Sequence, residues 1–332
     1  SQSYKINFNP SEYEKFSSTF PFIETDDQAK TIDEVIADFS KSVPADRLIV
    51  GDVAFGKTEV IIRAVFLAAK SKIQSLILVP TTLLSRQHFI NFSKRLSSFG
   101  IEVNEISRLV SNKIKSQVIS SLKNGTTDIV IGTHRLLQED VSFRNLGLLV
   151  IDEEHRFGVR QKERLKKLRQ SVDILTLTAT PIPRSLNMGL SGLRDISVVG
   201  TPPKDRLAVK TFVRSWSDTL VREACLRELH RAGQTYFLHN AVNNIHTIAD
   251  RLSSLIPEAS IGIAHGQLPE KELEQVMQNF YNQRFNLLVC TTIIESGLDI
   301  PSANTLIIHR ADRFGTSECQ SSCSCRAIEC ER

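Results

Sequence analysis

Short apolar runs rich in β-branched residues alternate along this chain with longer stretches in which apolar residues recur at helical spacing. This alternation predicts parallel strand–helix–strand units. In the first part of the chain, strands are predicted at Arg47–Val50, Ser75–Val79, Asp128–Ile131, Leu148–Ile151 and Asp173–Thr176, and helices at Glu59–Ala69 and Leu83–Ser97. In the second part, strands are predicted at Thr235–Leu238, Ser260–Ala264, Asn286–Cys290 and Asn304–Ile308, and helices at Asp218–Ala232, Asn244–Leu255 and Glu270–Tyr281.

A proline-containing break at Gly200–Arg206 separates the two series and predicts a linker. The expected fold class is α/β, with two tandem doubly wound lobes and mostly parallel sheets. The first lobe is predicted over residues 1–201 and the second over residues 202–315. Because ligands of such sheets bind at the carboxyl ends of the strands, the loops that follow strands should carry the chemistry.

Composition and charge narrow the class of protein only a little. Hydrophobic residues make up 41% of the chain and charged residues 23%, a balance typical of globular proteins. No apolar run reaches the length of a membrane span, so we expect a cytoplasmic protein without a membrane partner. The net charge of +4 permits nucleic-acid binding without arguing for it. Cys225 and Cys290 stand in apolar surroundings, which predicts buried thiols.

A glycine-containing loop follows the first predicted strand. Gly51–Thr58 reads GDVAFGKT, which fits GxxxxGK[ST] between a strand and a helix. In such a loop the backbone N–H groups cradle phosphates, Lys57 reaches the β- and γ-phosphates, and the Thr58 hydroxyl holds Mg²⁺. A chance glycine-rich turn is the alternative. The nucleotide-binding residues predicted here are Gly51, Asp52, Gly56, Lys57, Thr58 and Glu59.

Adjacent carboxylates follow the predicted strand Leu148–Ile151. In a nucleotide-hydrolysing site, Asp152 binds Mg²⁺ and Glu153 orients and deprotonates the attacking water. Lys57, Asp152 and Glu153 are therefore the predicted catalytic residues. An acidic strand cap on a solvated loop is the alternative. His155, beside Glu153, is interpreted as a coupling residue, with a structural histidine as the alternative.

Two further segments have weaker signals. In Phe20–Gln28, Thr25 or Asp26 is a predicted helix cap, and the Gln28 amide can pair with a donor and an acceptor on adenine. A plain capped helix is the alternative for that segment. The basic stretch Arg160–Arg169 has Leu165 and Leu168 at helical spacing, and we favour a solvated helix over a DNA-binding one.

An ordered series of motifs resembles helicase superfamily 2. Besides the phosphate loop and the DEEH that begins at Asp152, the motifs are Val79–His88, Gly132–Leu137, Thr178–Arg184 and Cys290–Pro301. Within the superfamily, Asp152–Val159 is similar to two kinds of duplex-DNA translocase, the bacterial transcription-repair coupling factors and the fork-reversing helicases. The segments Arg206–Val213 and Thr25–Gln28 look like the coupling factors. The resemblance spans about residues 20–315.

The resemblance implies two RecA-like lobes that bind ATP with Mg²⁺ between them and double-stranded DNA across both. It implies nucleotide contacts from Gln28, Gly297 and Asp299, and coupling of hydrolysis to movement through His155, Thr178 and Thr180. The DNA-binding residues that it implies are Thr81, Thr82, Arg86, Gln87, Thr133, His134, Arg135, Thr291 and Thr292. For each hydroxyl among them, a local cap or turn hydrogen bond is the alternative.

The sequence departs from this pattern after Gly315. The family has a motif of the form QxxGRxGR there, which supplies arginines to the γ-phosphate. Residues 316–332 are instead rich in serine and cysteine, and their arginines, Arg326 and Arg332, lack that spacing. We expect a frameshifted or otherwise non-native tail, with a genuine cysteine-rich appendage as the alternative; resequencing the gene across the Gly315 codon separates the two. The second lobe would then be incomplete, so that the chain binds ATP and hydrolyses it poorly.

The function expected from the sequence is an ATP-dependent double-stranded DNA translocase motor acting in transcription-coupled DNA repair. One alternative is a fork-reversing helicase for branched DNA, and another is a non-catalytic fragment that binds ATP and DNA. The resemblance also implies RNA polymerase and excision-repair proteins as partners of full-length family members, whose modules for these partners are not expected in this sequence.

Overall fold

The computed structural model of the chain describes residues 6, 8–41, 43–168, 171–179, 194–203, 210–291, 300–310 and 327–331. The chain divides into two compact units, residues 1–205 and residues 206–332. The division falls inside Gly200–Arg206, where the proline-containing break predicts a linker.

The first unit is built on a parallel sheet. Its strands are β1 Asp46–Gly51, β2 Gln74–Leu78, β3 Val103–Ile106, β4 Ile129–Gly132, β5 Leu146–Asp152, β6 Asp173–Thr178 and β7 Asp195–Val199. They lie in the order β3-β4-β2-β5-β6-β1-β7. Its described helices are α1 Pro10–Ser17, α2 Asp26–Asp38, α3 Lys57–Lys70, α4 Thr82–Leu96, α5 Asn112–Asn124 and α6 Val159–Leu168. The five strands predicted in this part of the chain are confirmed.

Both faces of this sheet are covered, because successive side chains of a strand point to opposite sides. On one face, Ile77, Ile131 and Val150 belong to a buried cluster with residues of α2, α3 and α4. On the other face, Leu76 and Leu149 belong to a second cluster with residues of α5 and α6. The helix α3, which carries the residues after the glycine loop, is buried almost all round.

The predicted helix after Phe20–Gln28 is α2, and Thr25 is its N-cap. The Thr25 hydroxyl accepts a hydrogen bond from the Gln28 backbone N–H at 3.3 Å, and the Gln28 side-chain oxygen accepts one from the Thr25 N–H at 3.0 Å. This reciprocal pair is a capping box. The basic stretch is the helix α6, whose Leu165 and Leu168 pack against the core, which agrees with the solvated-helix interpretation.

The second unit has the same layered construction. Its strands are β8 Lys210–Arg214, β9 Gln234–His239, β10 Ile261–Ala264, β11 Leu287–Cys290, β12 Ala303–His309 and β13 Ala327–Glu331. They lie in the order β10-β11-β9-β12-β13-β8, and every described pair is parallel. The described helices of this unit are α7 Asp218–His230, α8 Ile245–Leu255 and α9 Glu270–Tyr281. The backbone of β13 lies within the segment that sequence patterns set apart as a tail.

A buried glutamine begins an inner strand of the sheet in each unit. Gln74 starts β2, and Gln234 starts β9. Each donates its side-chain N–H groups to two backbone carbonyls and accepts one hydrogen bond from another loop. Because buried backbone carbonyls need donors, one glutamine holds together the loops at the amino edge of each sheet.

Gln234→Leu is expected to lower the free energy of unfolding of the second unit by at least about 2 kcal/mol. The substitution leaves the carbonyls of Phe280 and Phe285 and the hydroxyl of Ser302 without their partner. Urea unfolding followed by the fluorescence of Trp216 reports on this unit, because the chain has one tryptophan.

The matched control is Gln275→Leu, since Gln275 lies exposed on α9 of the same unit. An exposed position of this kind is expected to change stability by no more than about 0.5 kcal/mol. Equal shifts of the urea midpoint for the two variants would contradict the role assigned to the buried amide.

Candidate functional site

The predicted motifs of the first unit meet at the carboxyl edge of its sheet. The strand order β4-β2-β5-β6-β1 places the loops after these five strands side by side. The loops after β5 and β1 carry the predicted nucleotide chemistry, β6 ends at the predicted coupling residue Thr178, and the loops after β4 and β2 carry predicted DNA contacts. Because all five strands are parallel, the two groups of loops are neighbours along one edge.

The glycine loop forms a tight backbone cradle between β1 and α3. Gly56 has φ of 81°, and a Cβ built there would lie 2.2 Å from the Gln28 side-chain nitrogen. The left-handed backbone favours glycine, and a larger residue would also displace the end of the Gln28 side chain. Helix α3 begins at Lys57 without a side-chain cap. Its first-turn N–H groups and its dipole therefore favour an anion at this end.

Lys57 lies across the mouth of this cradle. Its ammonium donates hydrogen bonds to the backbone carbonyls of Gly51 and of Asp52, the latter at 2.8 Å. Burial lowers the pKa of Lys57, and the charges of Asp152, Glu153 and Asp52 oppose that shift. A half-buried cation beside a backbone cradle is suited to bind phosphate oxygens.

Asp152 ends β5, and Glu153 begins the turn that follows. Glu153 has φ of 50°, which is uncommon for a residue with a side chain. One of its carboxylate oxygens accepts a hydrogen bond from the Ala179 backbone N–H at 3.0 Å, and the other lies 3.2 Å from His155 Nδ1. Burial, followed by the neighbouring charge of Asp152, raises the pKa of Glu153. A carboxylate with a raised pKa is a stronger proton acceptor.

These groups fit Mg²⁺ and a nucleoside triphosphate. The glycine cradle, the uncapped start of α3 and the Lys57 ammonium are donors for phosphate oxygens. The Thr58 hydroxyl and the Asp152 carboxylate are oxygen ligands of the kind that Mg²⁺ prefers. Lys57, Thr58 and Asp152 would thus hold the nucleotide and its metal.

Two predicted nucleotide contacts have other partners in the structure. The Gln28 side-chain N–H donates to the Phe55 carbonyl in the glycine loop at 2.7 Å, so α2 is tied to that loop. The buried Glu59 carboxylate accepts from Arg63 and from Arg95, each at 3.0 Å. Nucleotide contacts by Gln28 and Glu59 stay predictions. To make such a contact, each side chain would have to break one of the hydrogen bonds described above.

The predicted DNA contacts after β2 lie at the start of α4. Thr81 is the N-cap, its hydroxyl accepting from the Leu84 N–H at 3.3 Å, and Thr82 is buried. Arg86 is half exposed, and its guanidinium lies 3.3 Å from the buried Glu105 carboxylate. Gln87, next in the helix, is half-buried. Thr81 is also half-buried, so Thr82 is the buried member of this group and Arg86 is its most exposed member.

The predicted DNA contacts after β4 lie on a short 3-10 turn, residues 134–137. Thr133 is buried, whereas His134 and Arg135 are half-buried. Arg135 donates to both carboxylate oxygens of the exposed Asp140, and this pairing raises the pKa of Arg135 and lowers that of Asp140. A phosphate would have to compete with Asp140 for this guanidinium.

The remaining predicted residues lie further along the chain. Thr178 ends β6, directly before Ala179, whose N–H binds Glu153. In the second unit, Thr291 is buried and follows β11 at the carboxyl edge of that sheet. The predicted site residues that fall outside the described ranges are Thr180, Thr292, Gly297 and Asp299.

Comparison with known proteins decides the family. Residues 25–188 match the DEAD/DEAH box helicase family, and residues 218–323 match the helicase conserved C-terminal domain. The chain is 55% identical over 317 residues to the transcription-repair-coupling factor of Escherichia coli (strain K12), a match that covers 96% of this chain and 28% of that protein. The chain belongs to helicase superfamily 2.

Other members of helicase superfamily 2 support the same assignment. The transcription-repair-coupling factor of Buchnera aphidicola subsp. Baizongia pistaciae (strain Bp) is 50% identical over 317 residues, which cover 96% of this chain and 46% of that protein. The chain thus spans about a quarter to a half of the length of these relatives. A structure of RecG bound to a three-way DNA junction matches with a TM-score of 0.85 and 31% identity, covering 100% of this chain and 46% of that one.

The fold predicted for this superfamily is confirmed as two tandem RecA-like domains with mostly parallel sheets. The Mycobacterium smegmatis helicase Lhr bound to ssDNA and AMP-PNP matches with a TM-score of 0.66, covering 98% of this chain and 47% of that one. Its 17% identity shows the fold alone. Within the described ranges, no helix is both long and apolar enough to cross a membrane.

Several residues that contact the predicted site residues were not predicted from the sequence. His88 contacts Asp152, and the Ala179 N–H binds Glu153. Glu105 binds Arg86, and it lies on β3, a strand that was not predicted. A signal existed for His88, because it ends the motif Val79–His88. No sequence pattern marked Glu105.

Proposed function

We propose that this chain is the ATP-driven motor segment of a double-stranded DNA translocase that acts in transcription-coupled DNA repair. The observation that carries the proposal is the convergence of Lys57, Asp152 and Glu153 at one sheet edge, with the DNA-contact loops beside them. The 55% identity to a transcription-repair-coupling factor favours this substrate and process over others in the superfamily.

Each residue of the site has a definite task in this proposal. Bound Mg²⁺–ATP supplies a phosphoryl group that water can attack. Lys57 turns from the Gly51 and Asp52 carbonyls to the phosphate oxygens, while Thr58 and Asp152 hold the metal. The Glu153 carboxylate orients the water and accepts its proton, which its raised pKa assists.

The hydrogen bond from the Ala179 N–H to Glu153 offers a route by which hydrolysis is coupled to movement. Ala179 directly follows Thr178 and β6, within the predicted coupling motif. A change at Glu153 during turnover would alter this backbone contact and the contact with His155. We propose Thr178 and His155 as coupling residues on this basis, and Thr180, which lies outside the described residues, on the resemblance alone.

Arg135→Ala is expected to weaken binding to duplex DNA and to lower the salt slope of log affinity by about one. The reason is the loss of one guanidinium–phosphate contact. Asp140→Asn is expected to do the opposite and tighten binding, because Arg135 is released from its ion pair. Anisotropy of a labelled duplex, measured over a range of salt concentrations, checks both expectations.

Arg160→Ala is the control for this pair, because Arg160 lies exposed on α6, which is assigned as a solvated helix. Its duplex affinity should equal that of the unaltered chain. A loss as large as that of Arg135→Ala would instead favour DNA binding by the basic stretch Arg160–Arg169.

The proposed function is tested by ATP turnover of this chain with and without linear duplex DNA, with Glu153→Gln as the blank. Turnover that rises with duplex DNA above the blank supports a DNA-dependent motor. Turnover at the level of the blank with ATP still bound favours the alternative of an ATP- and DNA-binding fragment without catalysis.

A fork-reversing helicase is the second candidate, and the similarity to RecG on a three-way DNA junction favours it. The same turnover measurement with a three-way junction of equal length and base composition separates the candidates. Equal stimulation by linear and branched DNA supports the translocase. Stimulation by the junction alone favours the fork-reversing helicase.

We also propose that turnover by this chain is above that of the Glu153→Gln blank but slower than in a relative that has the arginine motif. Residues 316–332 contain two arginines, Arg326 and Arg332, without the GRxGR spacing of the family. An arginine that stabilises the transition state is worth about 10³–10⁵ in turnover, whereas the contacts of the phosphate loop do not depend on it. Contacts with RNA polymerase and excision-repair proteins are proposed for the longer relatives and are not assigned to residues of this chain.

A further inference from the structure

His88 lies between the predicted DNA-contact segment and the predicted metal ligand. It is on α4, two residues after Arg86, and its Nε2 atom is 3.4 Å from an Asp152 carboxylate oxygen. His88 has 6% of its surface exposed. This contact joins α4, which follows β2, to the end of the adjacent strand β5.

The chemistry of the contact defines which imidazole nitrogen carries the proton. The Asp152 carboxylate, when ionised, only accepts hydrogen bonds, so Nε2 of His88 must be the donor. The other ring nitrogen, Nδ1, is buried and has no hydrogen-bond partner among the residues that the structure describes. The ring meets Phe92 edge-on, with the ring centroids 5.7 Å apart. The contact with Phe92 therefore holds the ring in place, and Nε2 donates a hydrogen bond to the carboxylate.

The helix that carries His88 is held firmly on its other sides. Leu84, Phe92 and Leu96 are buried in the core of the first unit. The buried Glu105 on β3 accepts hydrogen bonds from Ser85 at 3.3 Å and lies equally close to Arg86. If Arg86 binds a phosphate and is displaced, the force is therefore transmitted to a helix that is packed into the core. His88 lies two residues further along that helix.

We propose that His88 is a positioning residue that orients Asp152 for Mg²⁺ and ties occupancy of the DNA-contact segment Thr81–Gln87 to the metal site. This inference rests on the proposed function, because it requires Asp152 to be the metal ligand and Thr81–Gln87 to contact DNA. His88 touches neither substrate nor metal in this role. Its effect passes through the carboxylate that it holds.

Loss of such a partner of a metal ligand costs about 10–100-fold in metal affinity. A purely structural core histidine would instead affect folding and leave the metal affinity of the folded protein unchanged. The readout is therefore the Mg²⁺ concentration that half-saturates binding of a fluorescent, non-hydrolysable ATP analogue. This measurement does not depend on turnover.

Two amide variants of different length form the matched pair. His88→Gln places its side-chain N–H near the position of Nε2, and its half-saturating Mg²⁺ concentration should stay close to that of the unaltered chain. His88→Asn is one bond shorter and cannot reach Asp152, so its value should rise by about 10–100-fold. His88→Phe keeps the contact with Phe92 without the donor and should resemble His88→Asn.

Duplex DNA supplies the second arm of the test. In the unaltered chain, linear duplex DNA should change the half-saturating Mg²⁺ concentration, and in His88→Asn and His88→Phe this effect of DNA should be lost. His246→Phe, a change of the same kind at an exposed histidine of the second unit, should behave as the unaltered chain. Thermal unfolding without nucleotide establishes that each variant is folded.

Asp152→Ala separates the possible failures. If Asp152→Ala removes the Mg²⁺ dependence while His88→Asn and His88→Phe leave it unchanged, the role of His88 is overturned and the metal site stands. If Asp152→Ala keeps the Mg²⁺ dependence, the proposed metal site fails and the role of His88 fails with it. Equal losses in His88→Gln and His88→Asn would also overturn the inference, because the donor would then not be the cause.

Discussion

Glu153→Gln is expected to lower ATP turnover by about 10²–10⁴-fold while ATP affinity stays nearly unchanged. The amide keeps an oxygen for the Ala179 N–H at the position where the structure has a 3.0 Å hydrogen bond, so the local backbone should be preserved. It loses the ability to accept the proton of the attacking water. Turnover and binding of a fluorescent ATP analogue, measured on the same preparation, check the two halves of this expectation.

The neighbouring carboxylate is the natural control. The Glu154 carboxylate lies 3.4 Å from Arg194, whereas that of Glu153 binds the Ala179 N–H. Glu154→Gln should therefore retain turnover, although it changes the same amount of charge one residue away. Should Glu154→Gln abolish turnover and Glu153→Gln leave it intact, the assignment of the general base would be wrong.

Lys57→Ala is expected to weaken ATP binding by about 10–100-fold, because hydrogen bonds to a charged group contribute roughly 1.5–3 kcal/mol each. The loss should be larger for a nucleoside triphosphate than for a monophosphate, since the ammonium is assigned to the β- and γ-phosphates. Equilibrium titration with fluorescent analogues of both nucleotides measures this difference.

Lys70→Ala provides a control on the same helix. Lys70 lies at the far end of α3, and its ammonium also donates to a backbone carbonyl, that of Phe99, at 2.9 Å. Both variants remove a hydrogen bond from an ammonium to a backbone carbonyl, and Lys70→Ala also removes an ion pair with Glu12, but only Lys57 faces the glycine cradle. Unchanged ATP affinity in Lys57→Ala would remove the glycine loop from the proposed site.

Much of the secondary structure could be predicted because strands buried on both faces are nearly continuous apolar runs. Leu148–Ile151 and Ser75–Val79 are runs of this kind, and both are strands. The strand β3 was missed because its sequence, VNEI, places two polar residues in four positions. The helix α5 was missed for a related reason, since Val118 and Leu122 are its buried residues and most of its other side chains are polar.

The residues of the candidate site could likewise be predicted only in part. Lys57, Thr58, Asp152 and Glu153 could be predicted because their chemistry requires particular residue types at particular spacings next to a strand. The contacts of Gln28 with Phe55 and of Glu59 with Arg95 could not be predicted in this way. They join residues far apart in the chain, and a local pattern has no information about such contacts.

The sequence by itself determined the residue types of the phosphate loop and of the acidic turn, the alternation of strands and helices, and the resemblance to superfamily 2. These depend on short segments, in which spacing and local chemistry suffice. Only the tertiary structure decided the strand order β4-β2-β5-β6-β1, and with it the proximity of His88 to Asp152 and of Ala179 to Glu153. Strand order arises from crossover connections and from packing between distant segments, so it is a property of the whole sheet.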